Sequence, residues 1–236
     1  YALAALDIGF WDAYSKLANM PLANFLGGEL KPIKTYNSRG LWLISLDEIE
    51  KDIYDLLDKG TFNSIKVRIG RNKLKDDIYV IEKIKQIAGS DVNIMSDFNQ
   101  CYEFDTALKR MTELDEIGLY WFEEPVKAYD LAGHAEVRKR LDLNVASGET
   151  EYTRFGMKAY LDSKACDILM PDLQRIGGLS EMRKTAALAS AYNIPISTHI
   201  FTEHSLPIAG SSPNCISVEH MPWFVNLFNE KMELKD

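Results

Sequence analysis

The first eighteen residues place Leu3, Leu6, Phe10, Ala13, Tyr14 and Leu17 at helical spacing. Pro21 and the pair Gly27-Gly28 stop that pattern. After Gly28 the period changes. A short apolar or β-branched run is followed by a longer amphipathic stretch, repeatedly, along the rest of the chain. The runs predict strands over 33–38, 63–68, 92–97, 119–123, 144–147, 167–170, 195–198 and 216–219. The amphipathic stretches predict helices over 47–59, 74–88, 104–117, 130–140, 153–163, 178–192 and 203–210. Strict alternation of this kind means a parallel sheet with helices outside it. Eight units in about 200 residues fit a closed (β/α) barrel better than an open doubly wound sheet. No low-complexity segment or Pro/Gly/Ser-rich linker interrupts the repeat. Residues 29–236 are therefore expected to form one barrel domain, with 1–28 a helical lead-in.

Composition narrows the partners. The 236 residues carry 27 Lys+Arg against 35 Asp+Glu, a net charge of −8. Nucleic-acid binding needs a basic face, so that class is disfavoured. No apolar run approaches the ~20 residues of a membrane span, so no membrane partner is expected. Cys101, Cys166 and Cys215 show no CxxC spacing, which suggests a reducing, cytoplasmic setting. The chain opens inside a helix, with no charged segment ahead of an apolar one. That reads as part of a longer protein, not as a signal peptide.

In such barrels the chemistry sits at the C-terminal ends of the strands. Here the strand ends carry Lys66 and Arg68, then Asp97, Glu123-Glu124, Glu149, Asp172, His199 and Glu219. Asp97, Glu123 and Glu149 are spaced 26 residues apart, one βα unit each, so three neighbouring strands present carboxylates at one height. Period two puts Leu119, Trp121 and Glu123 on one face of their strand, and Glu123 is expected to point inward. Three clustered carboxylates need neutralising. An all-oxygen set without Cys suits Mg²⁺ rather than Zn²⁺. Lys66 and Arg68 share a strand face, where they are expected to meet the carboxylates or an anionic substrate. Asp172 closes the strand before that of His199, as a His general base requires of its orienting partner. His134, His204 and His220 lack such placement and are expected at the surface or behind the site.

This order of strand ends resembles the enolase superfamily and, within it, the mandelate racemase subgroup. The resemblance covers essentially the whole chain. It rests on Ala5-Leu6-Asp7-Ile8 with Trp11-Asp12, Gly27-Gly28, Asp97-Phe98-Asn99-Gln100, Phe122-Glu123-Glu124-Pro125 and Ser147-Gly148-Glu149. It continues through Met170-Pro171-Asp172, Ile176-Gly177-Gly178 and Ser197-Thr198-His199-Ile200-Phe201. It implies a TIM-type (β/α)7β barrel, enolase C-terminal domain-like, lacking most of an N-terminal capping domain. The implied first step removes the proton α to a carboxylate, with Mg²⁺ stabilising the enediolate. Carried over by position, Asp97, Glu123 and Glu149 are metal ligands and His199 with Asp172 is the acid/base. Lys66 holds the substrate carboxylate, and Glu219, if protonated, donates to the developing oxyanion. Asn99, Glu124 and Arg175 support these residues. A homo-oligomer is expected of the full-length protein.

One departure matters. The family's second strand usually carries a second Lys as base for the opposite face, and here that position is Arg68. A guanidinium stays protonated and is a poor base. Racemisation needs proton exchange on both faces, whereas dehydration needs one base. The expectation is therefore dehydration of a hydroxy acid such as a sugar acid. The alternatives are a racemase or epimerase on the same site, or a non-catalytic barrel that binds a metal or small acid.

Overall fold

The computed structural model describes residues 1–57 and 61–229. Eight strands follow one another in chain order and close into a parallel barrel, with helices between them. The described residues form two compact units, one of 36–147 with 164–166, the other of 1–35, 148–163 and 167–229. No described helix is long and apolar enough to cross a membrane.

The first unit holds β1 (Thr35–Asn37), β2 (Ser64–Arg68), β3 (Asn93–Asp97), β4 (Trp121–Glu123) and β5 (Asn144–Ser147). Between them run α3 (Ile49–Leu57), α4 (Leu74–Ala88), α5 (Phe104–Leu114) and α6 (Leu131–Arg140). Every residue of β2 is buried, so both its faces are covered. Ile65 and Val67 join Ile94, Phe122 and Val145 in one apolar cluster with the buried side of the helices. Lys66 and Arg68, offset by one, take the other face. In α4 the buried positions are Asp77, Val80, Ile81 and Ile84, a single helical stripe. Burying a side chain such as Ile81 stabilises the fold by about 1.5–3 kcal/mol. Pairing sets Arg68 beside Asp97 and Asp97 beside Glu123. The 26-residue step from Asp97 to Glu123 thus becomes a register pair, whereas Glu123 itself pairs with Ala146 and not with Glu149.

The second unit holds α1 (Ala2–Leu17), α2 (Leu22–Phe25), α7 (Thr153–Asp162), β6 (Ile168–Leu169) and α8 (Leu173–Ile176). It continues with α9 (Leu179–Ala191), β7 (Ile196–Thr198), α10 (Thr202–Ser211), β8 (Cys215–His220) and a 3₁₀ turn over Pro222–Leu227. A further bridge pairs Asp172 with His199 just beyond β6 and β7. Asp7 accepts hydrogen bonds from the Ser180 backbone N–H at 2.9 Å and its hydroxyl at 2.5 Å. The Trp11 indole donates to the same hydroxyl, so α1 is pinned to the start of α9. Gly28 is required by a close approach: a Cβ there would lie 2.2 Å from the Gly210 carbonyl oxygen.

Several element bounds differ from those expected. β1, β4 and β6 are shorter than their apolar runs, because a strand extends only as far as its neighbours pair with it. Positions 58 and 59 of the helix predicted over 47–59 lie outside the described residues. The one-turn helix α8 was not expected; Asp172 caps it through Oδ1, which accepts from Gln174 N and Arg175 N, both at 2.8 Å. The apolar positions that mark α1 as a helix lie on its exposed side, with Leu3 at 70% and Leu17 at 82% exposure. Periodicity identified the helix but not which side is covered.

Candidate active site

In the first unit the row of strand ends is a charge cluster out of reach of solvent. Lys66 Nζ lies 2.7 Å from Glu123 Oε1 and 3.4 Å from Asp97 Oδ2. The exposure of all three side chains is 2% or less. The Trp121 indole donates to Glu123 Oε2 at 3.1 Å, so Trp121, Glu123 and Lys66 share the face that period two assigned to them. Asn99 donates its backbone N–H to Asp97 Oδ1 at 2.8 Å and its amide to Oδ2 at 3.1 Å. Each oxygen of Asp97 is thereby aimed. Asn99, Gln100 and Glu124 all have positive φ, 45°, 58° and 43°. Such conformations cost about 1–3 kcal/mol each for non-glycine residues and gather at functional sites. Glu124 points away from this cluster, its Oε1 taking the Gln100 side-chain amide at 2.7 Å.

Arg68 behaves differently from Lys66. Its Nε is 3.9 Å from Asp97 Oδ2, but its amino groups are engaged elsewhere. Nη1 donates to the Ser38 and Gly40 carbonyls at 2.7 and 2.9 Å, and Nη2 to the Ser38 hydroxyl at 2.8 Å. The guanidinium lies over the Trp42 ring, 4.1 Å from its centroid. Of the two cations expected to meet the carboxylates, Lys66 does so fully and Arg68 mainly holds the chain after β1.

In the second unit the groups gather on His199. Its Nδ1 lies 2.7 Å from Asp172 Oδ2, while Oδ1 of the same carboxylate caps α8. Two tasks on one side chain fix the carboxylate in place. Nδ1 held this way leaves Nε2 as the nitrogen that exchanges a proton. Nε2 lies 3.2 Å from Glu149 Oε2. Arg175 donates to the Glu149 carbonyl at 2.9 Å and to its Oε1 at 3.3 Å. Glu219 Oε2 accepts the Ile200 backbone N–H at 2.9 Å. Ile200 and Phe201 have φ of 30° and 46°, a second run of strain directly behind a predicted site residue. Burial pushes the His199 imidazole toward its neutral form. The charge of Glu149, the hydrogen bond to Asp172 and the charge of Glu219 outweigh it and push the pKa up to about 9.

His134 is not at the surface. It is fully buried, with Nδ1 3.0 Å from the Asp130 carbonyl and Nε2 3.1 Å from the Ser147 hydroxyl. Burial holds its pKa below the usual histidine value. A buried neutral histidine bonded at both nitrogens is a local brace, and its sequence context carried no sign of it. The sequence reading also missed Trp121 as a donor to Glu123 and Trp42 as the partner of Arg68.

The expected metal cage tests differently in pieces. Among the described residues no three His, Cys, Asp or Glu side chains stand gathered as a cation cage. Asp97 and Glu123 nevertheless receive one cation between them, the Lys66 ammonium. Their donors are buried oxygens, which suit a hard divalent ion.

A family model described as enolase C-terminal domain-like matches residues 48–236. L-talarate/galactarate dehydratase of Salmonella typhimurium is 31% identical over the whole of this chain, which covers 59% of that protein. Arabinonate dehydratase of Saccharolobus solfataricus is 29% identical over 99% of the chain and 62% of that protein. The chain thus spans about three-fifths of the length of these relatives. An enolase from the alpha-proteobacterium bal199, solved with bound Mg, superposes with a TM-score of 0.96 at 35% identity, covering 99% of this chain and 65% of that one. L-talarate dehydratase from Polaromonas sp. JS666, complexed with Mg and L-glucarate, gives 0.94 at 30% identity, covering 100% and 66%. With the family model over most of its length and the barrel strand order in agreement, the chain belongs to the enolase C-terminal domain-like family.

Proposed function

We propose that this chain carries the acid/base and metal-holding residues of a dehydratase acting on a hydroxy acid of the sugar-acid class. The observation that carries this choice is Arg68. Its amino groups are spent on Ser38 and Gly40, and a guanidinium is a poor base in any case. One proton-transferring group, His199 with Asp172, remains at the strand ends. Dehydratases among the relatives support the same choice.

Asp97, Glu123 and Glu149 are the proposed Mg²⁺ ligands, with Asn99, Glu124 and Arg175 orienting the groups around them. Bound Mg²⁺ supplies positive charge that makes a substrate α-proton easier to remove. His199 takes that proton at Nε2. Lys66 holds the substrate carboxylate, and Glu219, if it takes up a proton, donates a hydrogen bond to the oxygen where negative charge develops. The imidazolium then returns its proton to the departing β-hydroxyl, water leaves, and the enol product becomes a 2-keto-3-deoxy acid.

The test incubates the parent protein with Mg²⁺, D₂O and a panel of aldonates and aldarates. The expected result is keto-acid formation from some member, with deuterium at C2 of recovered substrate entering one C2 configuration only. Comparable exchange into both C2 epimers would mean a racemase or epimerase on the same residues. Neither turnover nor exchange would leave a barrel that binds a metal or acid without catalysis.

A further inference from the structure

The segment that follows β1 is held in an unusual way. Four carbonyls at alternate positions, Ser38, Gly40, Trp42 and Ile44, all accept from two arginines at the end of β2. Arg68 takes the first pair at 2.7 and 2.9 Å. Arg71 takes the second at 3.3 and 3.5 Å. Arg71 is itself fixed by Asp77, which is buried and also accepts the backbone N–H groups of Gly70 and Arg71 at about 3.1 Å. On the other side Asp52 accepts the Leu41 N–H, and Leu41 returns its carbonyl to Arg68 N at 2.9 Å. In each arginine one terminal nitrogen serves both carbonyls, Nη1 in Arg68 and Nη2 in Arg71.

All this fixing sets one side chain. Trp42 rests on the Arg68 guanidinium, and Arg68 Nε is 3.9 Å from Asp97 Oδ2. The indole therefore stands one side chain away from the carboxylate pair, at the strand ends where barrel chemistry is done. It remains 39% exposed. A rigid aromatic with a covered part, an open part and an N–H donor matches a ligand that is apolar along its carbon chain and hydroxylated at its edge.

We propose that Trp42 is a specificity-determining residue. It packs against the C–H face of a hydroxylated carbon chain, and Arg68 and Arg71 with Asp77 are positioning residues that hold it there. This rests on the dehydratase reading and adds to it what Trp42 measures: the length of the acid beyond its reacting carbons.

The experiment uses the parent protein with Mg²⁺ and compares wild type, Trp42→Phe, Trp42→Ala and Arg68→Lys. Initial rates are taken on glycerate and on five- and six-carbon aldonates and aldarates. Trp42→Ala is expected to raise KM about tenfold for the longer acids, with kcat changed less than about threefold and glycerate little affected. Trp42→Phe, which keeps a ring, should lie between. Arg68→Lys should reproduce the KM rise and speed hydrogen exchange at the amides of 38–44. Unchanged KM values and an unchanged order of substrates in Trp42→Ala overturn the proposal. So does Arg68→Lys with slow exchange at 38–44. Should wild type turn over no acid, the dehydratase reading fails, and calorimetric binding of the same acids decides the matter. Weaker binding of the longer acids to Trp42→Ala then supports the role of Trp42, and equal binding, or none to either protein, overturns it.

Discussion

The two units treat charge in opposite ways. In the first, the strand ends carry two cations, Lys66 and Arg68, and two carboxylates, Asp97 and Glu123, and each is answered within the unit. In the second, three carboxylates, Glu149, Asp172 and Glu219, face Arg175 and one titratable ring, His199. In the second unit the surrounding carboxylates push the His199 pKa up to about 9 against the pull of burial. One arrangement suits holding an ion or an anion in place; the other suits moving a proton. A buried pair is weak evidence for stability in itself, because desolvation offsets attraction.

That division can be broken most directly at His199. His199→Asn is expected to lower α-proton exchange by about 10³-fold, within the usual range for a general base, while Mg²⁺ affinity changes only a few-fold. Exchange is followed by deuterium incorporation and affinity by calorimetry. A loss of metal binding as large as the loss of exchange would erase the distinction between the units.

Glu123→Gln tests the other side. It removes one carboxylate from the pair bridged by Lys66 and should weaken Mg²⁺ binding by about 100-fold, roughly the effect of disturbing a ligand's immediate support or more. Titration calorimetry on the variant measures it. Affinity equal to wild type would remove Glu123 from the ligand set.

A smaller effect is expected at Asp77, which belongs to the charge-holding unit but not to the carboxylate row. Burial raises its pKa, although the Gly70 and Arg71 N–H groups and the Arg71 guanidinium favour the charged form. Asp77→Asn keeps an acceptor but leaves Arg71 without a charged partner. The expected cost is about 1–3 kcal/mol, seen as a lower Tm. An unchanged Tm would mean that Arg71 is held well enough by its carbonyl partners alone.

The smallest effect is a pH dependence at His134. Its pKa lies below 6.5 in the folded protein because burial disfavours the charged ring. The unfolded chain then binds the proton first as pH falls. Stability from this group is complete above the unfolded pKa of about 6.5 and is lost as pH falls toward the folded value, with a slope of at most roughly 1.4 kcal/mol per pH unit. His134→Gln should flatten that part of the curve when unfolding is compared between about pH 7.5 and 5.5. Parallel curves for the two proteins would show that His134 is protonated alike in both states.

Much of this was legible along the chain. Alternation of short apolar runs with amphipathic stretches determined the barrel, because each period permits one way of covering an apolar face. Period two determined that Lys66 and Arg68 share a face and that Trp121 and Glu123 do, and equal unit length determined that Asp97 and Glu123 stand in register. What tertiary structure alone decided is where each polar atom finds its partner. Arg68 looked like a second site cation and proved to be a holder of the Ser38 and Gly40 carbonyls, about 30 residues earlier in the chain. His134 was expected at the surface or behind the site, and only the structure shows it buried and bonded to Ser147. The apolar positions of α1 gave helical spacing alone, and most of them stand exposed. Local periodicity reports which conformation a segment takes, since that depends on its own backbone and side chains. Partners and cover depend on the path of loops distant in sequence, and no local pattern records that path.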